Sequence, residues 1–153
     1  IRAGRGLDRR QARGRRPASF PRIALRLMLF DSAFLIHASG QRGRKQQAAA
    51  EAFLRAHLDA PLYTSRVCWA EFAEGCVAPA DVQAGLHLFT VVEIDESVAW
   101  TASRVARELK PAGAHIGDND IWIAATALAY GLPLVSRNVR HFARVTNLQV
   151  VTY

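Results

Sequence analysis

Asp31, Glu71 and Asp120 are the acids whose surroundings suggest chemistry rather than solvation. Asp31 closes the apolar run Leu27-Met28-Leu29-Phe30, which suits a strand buried on both faces. An acid just past such a strand lies where open parallel sheets bind ligands. Because Ser32 follows, Asp31 equally suits the cap of a next helix. Helical geometry separates Glu71 from Glu74: Cys68, Phe72 and Cys76 define a core stripe, Glu74 points away from it and Glu71 lies on its border. Glu71 can reach over the sheet's edge or simply extend to water. Asp120, with Ala124 and Ala127 at i+4 and i+7, borders the buried face of an Ala-rich helix at its first turn, and Asp118 reads as that helix's N-cap first and as a ligand second. Converging carboxylates raise one another's pKa unless a cation neutralises them. Hard Mg²⁺ or Mn²⁺ is the natural neutraliser of an oxygen-only site.

Basic groups flank both strand ends expected to carry chemistry. Arg137, Arg140, His141 and Arg144 follow the fourth strand, where Ser136-Arg137-Asn138 stands; Arg42, Arg44 and Lys45 follow the first. They are suited to grip phosphates, and equally to form a solvated face. His141 reads as a hydrogen-bonded structural residue or phosphate contact, not as a base. Trp69, Trp100 and Trp122 read as core or interface before base-stacking platforms.

These side chains need a scaffold, and the hydrophobic pattern supplies one. The first strand, Leu27–Phe30, is followed by a polar loop and by a helix over residues 46–58 with Ala49, Ala52, Phe53 and Ala56 on one stripe. Leu62-Tyr63-Thr64 is a second strand, and Ser65 caps a helix running through Cys76. Pro79 opens another helix, with Val82, Leu86 and Phe89 at helical spacing. Residues 91–94 form a third strand. Val98, Thr101, Ala102, Val105, Ala106 and Leu109 then mark an amphipathic helix that stops at Pro111-Ala112-Gly113. A helix over 119–130, a strand over 132–136 and a strand over 148–152 complete the order. Strands alternating with helices predict a three-layer α/β/α sandwich around a parallel sheet of about five strands. There is no internal repeat.

At 153 residues the chain is enough for one domain with a real core. Half its residues are hydrophobic, which rules out disorder throughout. Its formal charge of +7 is concentrated at one end: residues 1–27 hold nine of the 20 basic groups, all Arg, against Asp8 alone. Residues 28–153 are close to neutral, with 11 basic and 12 acidic groups. The expected organisation is a basic, disordered extension over 1–27, untidy enough to precede a true start at Met28, and a folded domain over 28–153. An Arg-rich start before Ile23–Ile36 imitates a signal peptide, but Arg26 and Asp31 interrupt it and nothing approaches the ~20 apolar residues of a spanning helix. No membrane association and a cytoplasmic location are expected. Cys68 and Cys76, eight apart in one helix, stand roughly 12 Å from each other, beyond disulfide reach.

The segments Leu29-Phe30-Asp31-Ser32-Ala33-Phe34-Leu35-Ile36, Trp69-Ala70-Glu71-Phe72, Asn119-Asp120 through Gly131, and Leu134-Val135-Ser136-Arg137-Asn138-Val139-Arg140-His141-Phe142 resemble the PIN domain, in particular the VapC toxins of bacterial toxin–antitoxin pairs. The resemblance runs in order over residues 27–153, and the 119–142 block is its most specific part. It implies a metal-dependent ribonuclease whose acids hold Mg²⁺ or Mn²⁺ and activate a water for in-line attack on an RNA phosphodiester. Asp31, Glu71 and Asp120 match the family's three principal acids, as catalytic residues and metal ligands. The fourth position, often Asp, falls on Asn138, whose amide brings an oxygen without charge; Asp118 is a candidate to compensate.

The leading expectation is therefore an endoribonuclease toxin held by a cognate antitoxin and forming a homodimer. Alternatives are a housekeeping or DNA-directed nuclease of the same fold, or a catalytically idle binding subunit, which Asn138 allows. A phosphatase with Asp31 as nucleophile is disfavoured because Ala33 stands where a second Asp belongs.

Overall fold

The computed structural model describes residues 27–111 and 113–153. The expected basic extension thus lies, but for Leu27, outside the described residues. Five strands form one parallel sheet: β1 (Met28–Phe30), β2 (Leu62–Ser65), β3 (Phe89–Val92), β4 (Leu134–Val135) and β5 (Val150–Val151), in the order β3-β2-β1-β4-β5. The helices are α1 (Ser32–Ala38), α2 (Arg44–Arg55), α3 (Arg66–Ala73), α4 (Pro79–Leu86), α5 (Glu96–Leu109), α6 (Asp118–Ala129) and α7 (Val139–Phe142).

The strand order decides where ligands bind. From β1 the chain moves outward to β2 and β3, then crosses back to β4 and continues to β5. Right-handed crossovers place α1 to α4 on one face and α5 to α7 on the other. The direction reverses between β1 and β4, and a crevice opens there beyond the strands' carboxyl ends. Asp31 and Ser136-Arg137-Asn138 are the residues that border it.

Burial holds this frame. All three β1 residues are buried, and Phe30 meets Phe34 at 4.6 Å, Phe89 at 5.5 Å and Phe53 at 6.1 Å between ring centroids, tying the sheet to α1 and α2. Each such buried side chain contributes about 1.5–3 kcal/mol. On α5, the buried Val98, Ala102, Val105 and Leu109 make the expected stripe and pack against α6.

Several local expectations need correction. The polar loop after β1 begins with helix α1: Asp31 caps it, accepting from the Phe34 N–H at 2.8 Å, and Phe34 and Leu35 are buried. Helix α2 starts at Arg44, just after Gly43 at φ +98°, and ends at Arg55. Phe89 belongs to β3, not to the preceding helix, which stops at Leu86. Asp118 is not the cap of α6; Gly117 is, at φ +100°, a left-handed value that favours glycine. Trp69 and Trp122 are partly buried, whereas Trp100 is 61% exposed beside Arg107 and belongs to no core. Cys68 and Cys76 are free thiols. Among the described residues no helix is long and apolar enough to cross a membrane.

Candidate active site

Asp31 is the deepest charge in the crevice, 5% exposed. Burial is the main influence on its carboxyl and pushes it up to about 6, against the lowering effect of hydrogen bonds from the Ser136 side chain and the Phe34 N–H. The negative charges of Asp120 and Glu71 push it further the same way. Asp120 and Glu71 thus stand near enough for their charges to reach Asp31, although the three acids come from the end of β1, α3 and α6. Cys68 lies beneath them: burial, followed by the Asp31 and Glu71 charges, outweighs its hydrogen bonding to Ser65 and raises its thiol to about 12, so it stays neutral.

Each outer acid is held by a neighbour. Glu71 Oε1 accepts from Asn119 Nδ2 at 2.7 Å, which bridges α3 and α6. Asp120 Oδ2 lies 3.1 Å from His141 Nδ1, which bridges α6 and α7. The position of Glu71 follows from Ser65, whose side chain caps α3 by accepting from the Cys68 N–H at 3.1 Å while Cys68 and Phe72 turn inward. Asp120 sits in the first turn of α6, where the helix's positive end favours negative charge.

The remaining candidates divide. Asn138 is half-buried at the N-cap of α7, and its backbone N–H donates to Ser136 Oγ at 2.9 Å. Asp118 does not join the acids: its side chain is 89% exposed and lies 3.6 Å from His115 Nε2. It fails as a ligand candidate because position N1 turns it toward α5, where it lines a shallow cleft with Ala102 and Trp122. Arg42, Arg44, Lys45, Arg137 and Arg140 are exposed, and among the described residues none has a carboxylate at ion-pair distance. After burial of the ring, the charges of Arg137 and Arg42 both lower the proton affinity of His37.

Among the described residues no three His, Cys, Asp or Glu side chains are grouped tightly enough to enclose an ion. The acids thus form an open rather than a closed cluster, with Glu71 and Asp120 held to amide and imidazole partners. The donor chemistry nonetheless fits a hard divalent cation: the three acids offer only oxygen, and among the described residues no cationic side chain is hydrogen-bonded to Asp31, which is buried among like charges. Sequence reasoning missed Asn119, His37 and Tyr153 as neighbours of the site. Ser136 was legible, being at a strand's carboxyl end beside Arg137 and Asn138.

The comparisons agree with this architecture. Ribonuclease VapC1 of Methanocaldococcus jannaschii is 38% identical over 67 residues, 44% of this chain, and the chain spans about half, 49%, of that relative's length. Ribonuclease VapC1 of Haemophilus influenzae is 30% identical over 95 residues, covering 58% of this chain and 71% of the relative. Among solved structures, VapBC-1 from nontypeable Haemophilus influenzae superposes with a TM-score of 0.68 at 25% identity, over 82% of this chain and 97% of that one. VapBC2 from Rickettsia felis, bound to a promoter DNA fragment, has the same fold, with a TM-score of 0.68 at 19% identity over 83% and 98%. The family model for the PIN domain matches residues 28–148, which run from the strand that delivers Asp31 to beyond the helix that carries His141, and the chain belongs to that family.

Proposed function

We propose that the protein is a metal-dependent endoribonuclease, the toxin of a toxin–antitoxin pair, with RNA as substrate and a small cognate antitoxin as partner. The observation that carries this reading is the buried carboxyl of Asp31, at the point where the sheet reverses direction, raised by its own burial and by Asp120 and Glu71. Relatives named Ribonuclease VapC and solved VapBC complexes support it. Asp31, Asp120 and Glu71 would hold Mg²⁺ or Mn²⁺, with Asn138 adding a neutral oxygen. When bound, the cation supplies the positive charge that lowers the pKa of a water and offsets charge developing on the phosphate.

The chain's own residues perform the rest. Asn119 and His141 orient Glu71 and Asp120, so the acids need little rearrangement when a cation arrives. Ser136 and the Phe34 N–H stabilise the ionised form of Asp31, the form that binds metal. Exposed Arg and Lys side chains attract the RNA backbone and position it over the acids. A homodimer belongs to the same proposal, as does a dispensable role for residues 1–27, which hold all of the chain's excess positive charge.

The deciding experiment incubates purified protein with total RNA, with Mg²⁺ or Mn²⁺ and with EDTA. Metal-dependent cleavage that Asp31→Ala and Asp120→Ala nearly abolish is the expected result. An intact RNA pool in every condition favours an idle binding subunit. Cleavage of DNA in preference to RNA favours a nuclease of another role.

A further inference from the structure

Beside the acids lies a second cluster, built on an aromatic ring. Asp31, Arg137 and Tyr153 follow the carboxyl ends of three successive neighbours in the sheet, β1, β4 and β5. The Tyr153 ring is held from several directions. It packs edge-on against Phe34 at 4.6 Å and Phe53 at 6.2 Å, and its hydroxyl lies 2.7 Å from His37 Nδ1. The Arg137 guanidinium stacks over it, 5.1 Å from the centroid. Arg42, from the turn after α1, adds a second positive charge felt by His37.

We propose that Arg137, with Tyr153 and His37 as positioning residues, forms a subsite that holds an RNA phosphate flanking the one cleaved; this rests on the ribonuclease reading above. Three features favour that role over a solvated surface. Arg137 is held on an aromatic face although no acid among the described residues pairs with it, so its fork stays available for an anion. A planar guanidinium fixed in this way offers two parallel N–H donors, the geometry that matches a phosphate. Arg137 follows β4, one strand spacing (~5 Å) from the β1 end that carries Asp31, so its guanidinium stands beside the acids and meets a neighbouring part of the same backbone. An acidic centre that collects metal and a separate basic rim that collects phosphate are both needed if one polyanion is to lie across the mouth.

The test measures binding of a short oligouridylate to the full chain in EDTA, by fluorescence anisotropy across a salt series, beside steady-state cleavage with Mg²⁺ or Mn²⁺. Arg137→Gln should weaken binding about tenfold. The plot of log affinity against log salt should become shallower by about 0.7 for the lost phosphate contact. In cleavage it should raise KM and leave kcat near the parent value, the mark of lost uniform binding. Arg137→Lys should recover only part of the affinity, because an ammonium keeps the charge but neither stacks nor forks. Tyr153→Leu, which leaves Arg137 charged but unstacked, should reproduce part of the loss. Arg137 is exposed, so its variants remain readable even if Tyr153→Leu folds poorly.

Unchanged affinity and salt slope in Arg137→Gln, or full recovery in Arg137→Lys, overturns the subsite. If the parent chain cuts RNA while Arg137→Gln binds just as well, the subsite alone falls. If the parent chain neither binds nor cuts RNA, the ribonuclease reading falls and takes the subsite with it.

Discussion

Asn119 Nδ2 donates to Glu71 Oε1 at 2.7 Å, so one amide ties α3 to α6 across the mouth that Asp31 occupies. The bond lies at the surface, where water competes for both partners and the contact adds little to folding. Asn119→Ala should therefore keep stability within about 0.5 kcal/mol of the parent. Its effect should be on the acid it orients, lowering kcat/KM about tenfold. Thermal melting and cleavage kinetics on the same preparation separate the two. A large fall in melting temperature with unchanged kinetics would assign the bond to folding instead.

Asp31 makes metal-free stability depend on pH. Its carboxyl is raised from 3.8 to about 6 in the folded chain, so between these values the folded state binds more protons than the unfolded one. Its contribution to stability is fully present below about pH 4 and lost as pH rises through 6, by at most ~3 kcal/mol. Asp31→Asn removes that loss and keeps the cap on α1, because Asn serves at an N-cap as well as Asp. At pH 7.5 in EDTA the variant should melt higher than the parent, with the gap closing toward pH 4, and it should not cleave. Mg²⁺ or Mn²⁺ should raise the melting temperature of the parent alone. A variant that melts lower than the parent at pH 7.5 would show that this carboxylate is already compensated.

Gly85 sets how closely α4 approaches α3. A Cβ placed there would stand 2.6 Å from Cζ of Phe72, a ring that is buried and cannot swing into solvent. Alanine's helix preference offers about 1 kcal/mol over glycine, and overpacking costs about 1–3 kcal/mol. Gly85→Ala should thus destabilise by about 1 kcal/mol. Adding Phe72→Leu, which makes room, should relieve part of the penalty in a double-mutant cycle.

Much of the site was legible because its acids sit at positions that periodicity can mark. Asp31 ends a continuous apolar run, and Asp120 borders an alanine face. Glu71 was separable from Glu74 by helical angle alone. What escaped has a common physical cause. Helices α1 and α7 have seven and four residues, too few to develop a periodic stripe, so a buried Phe34 reads as loop and no local pattern ties His141 to Asp120. Tyr153 is brought to Phe34 and His37 by pairing of β4 with β5, a contact across 116 residues that no local pattern encodes. Asp118 was misread because acids are common caps, whereas here the turn before α6 needs a positive φ and Gly117 takes that position.

Asn138 stands at the start of α7, half-buried, with His141 one turn later reaching Asp120. Its amide oxygen can ligate a cation or orient a water but cannot neutralise charge, so its share of metal affinity is smaller than that of Asp120. Asn138→Ala should reduce cleavage modestly, where Asp31→Ala and Asp120→Ala nearly abolish it. Asn138→Asp removes no capping bond, since the Asn138 side chain makes none to α7, and adds one negative charge at that helix's positive end. It should tighten Mg²⁺ or Mn²⁺ binding, most visibly as activity retained at low metal concentration. The added charge also raises the repulsion around Asp31, so without metal the variant should lose stability as pH rises past 6 more steeply than the parent. Metal titrations of cleavage and of melting temperature, run on all three forms, decide the point. An inactive Asn138→Ala together with an unshifted metal requirement in Asn138→Asp would move this residue from the metal to the RNA.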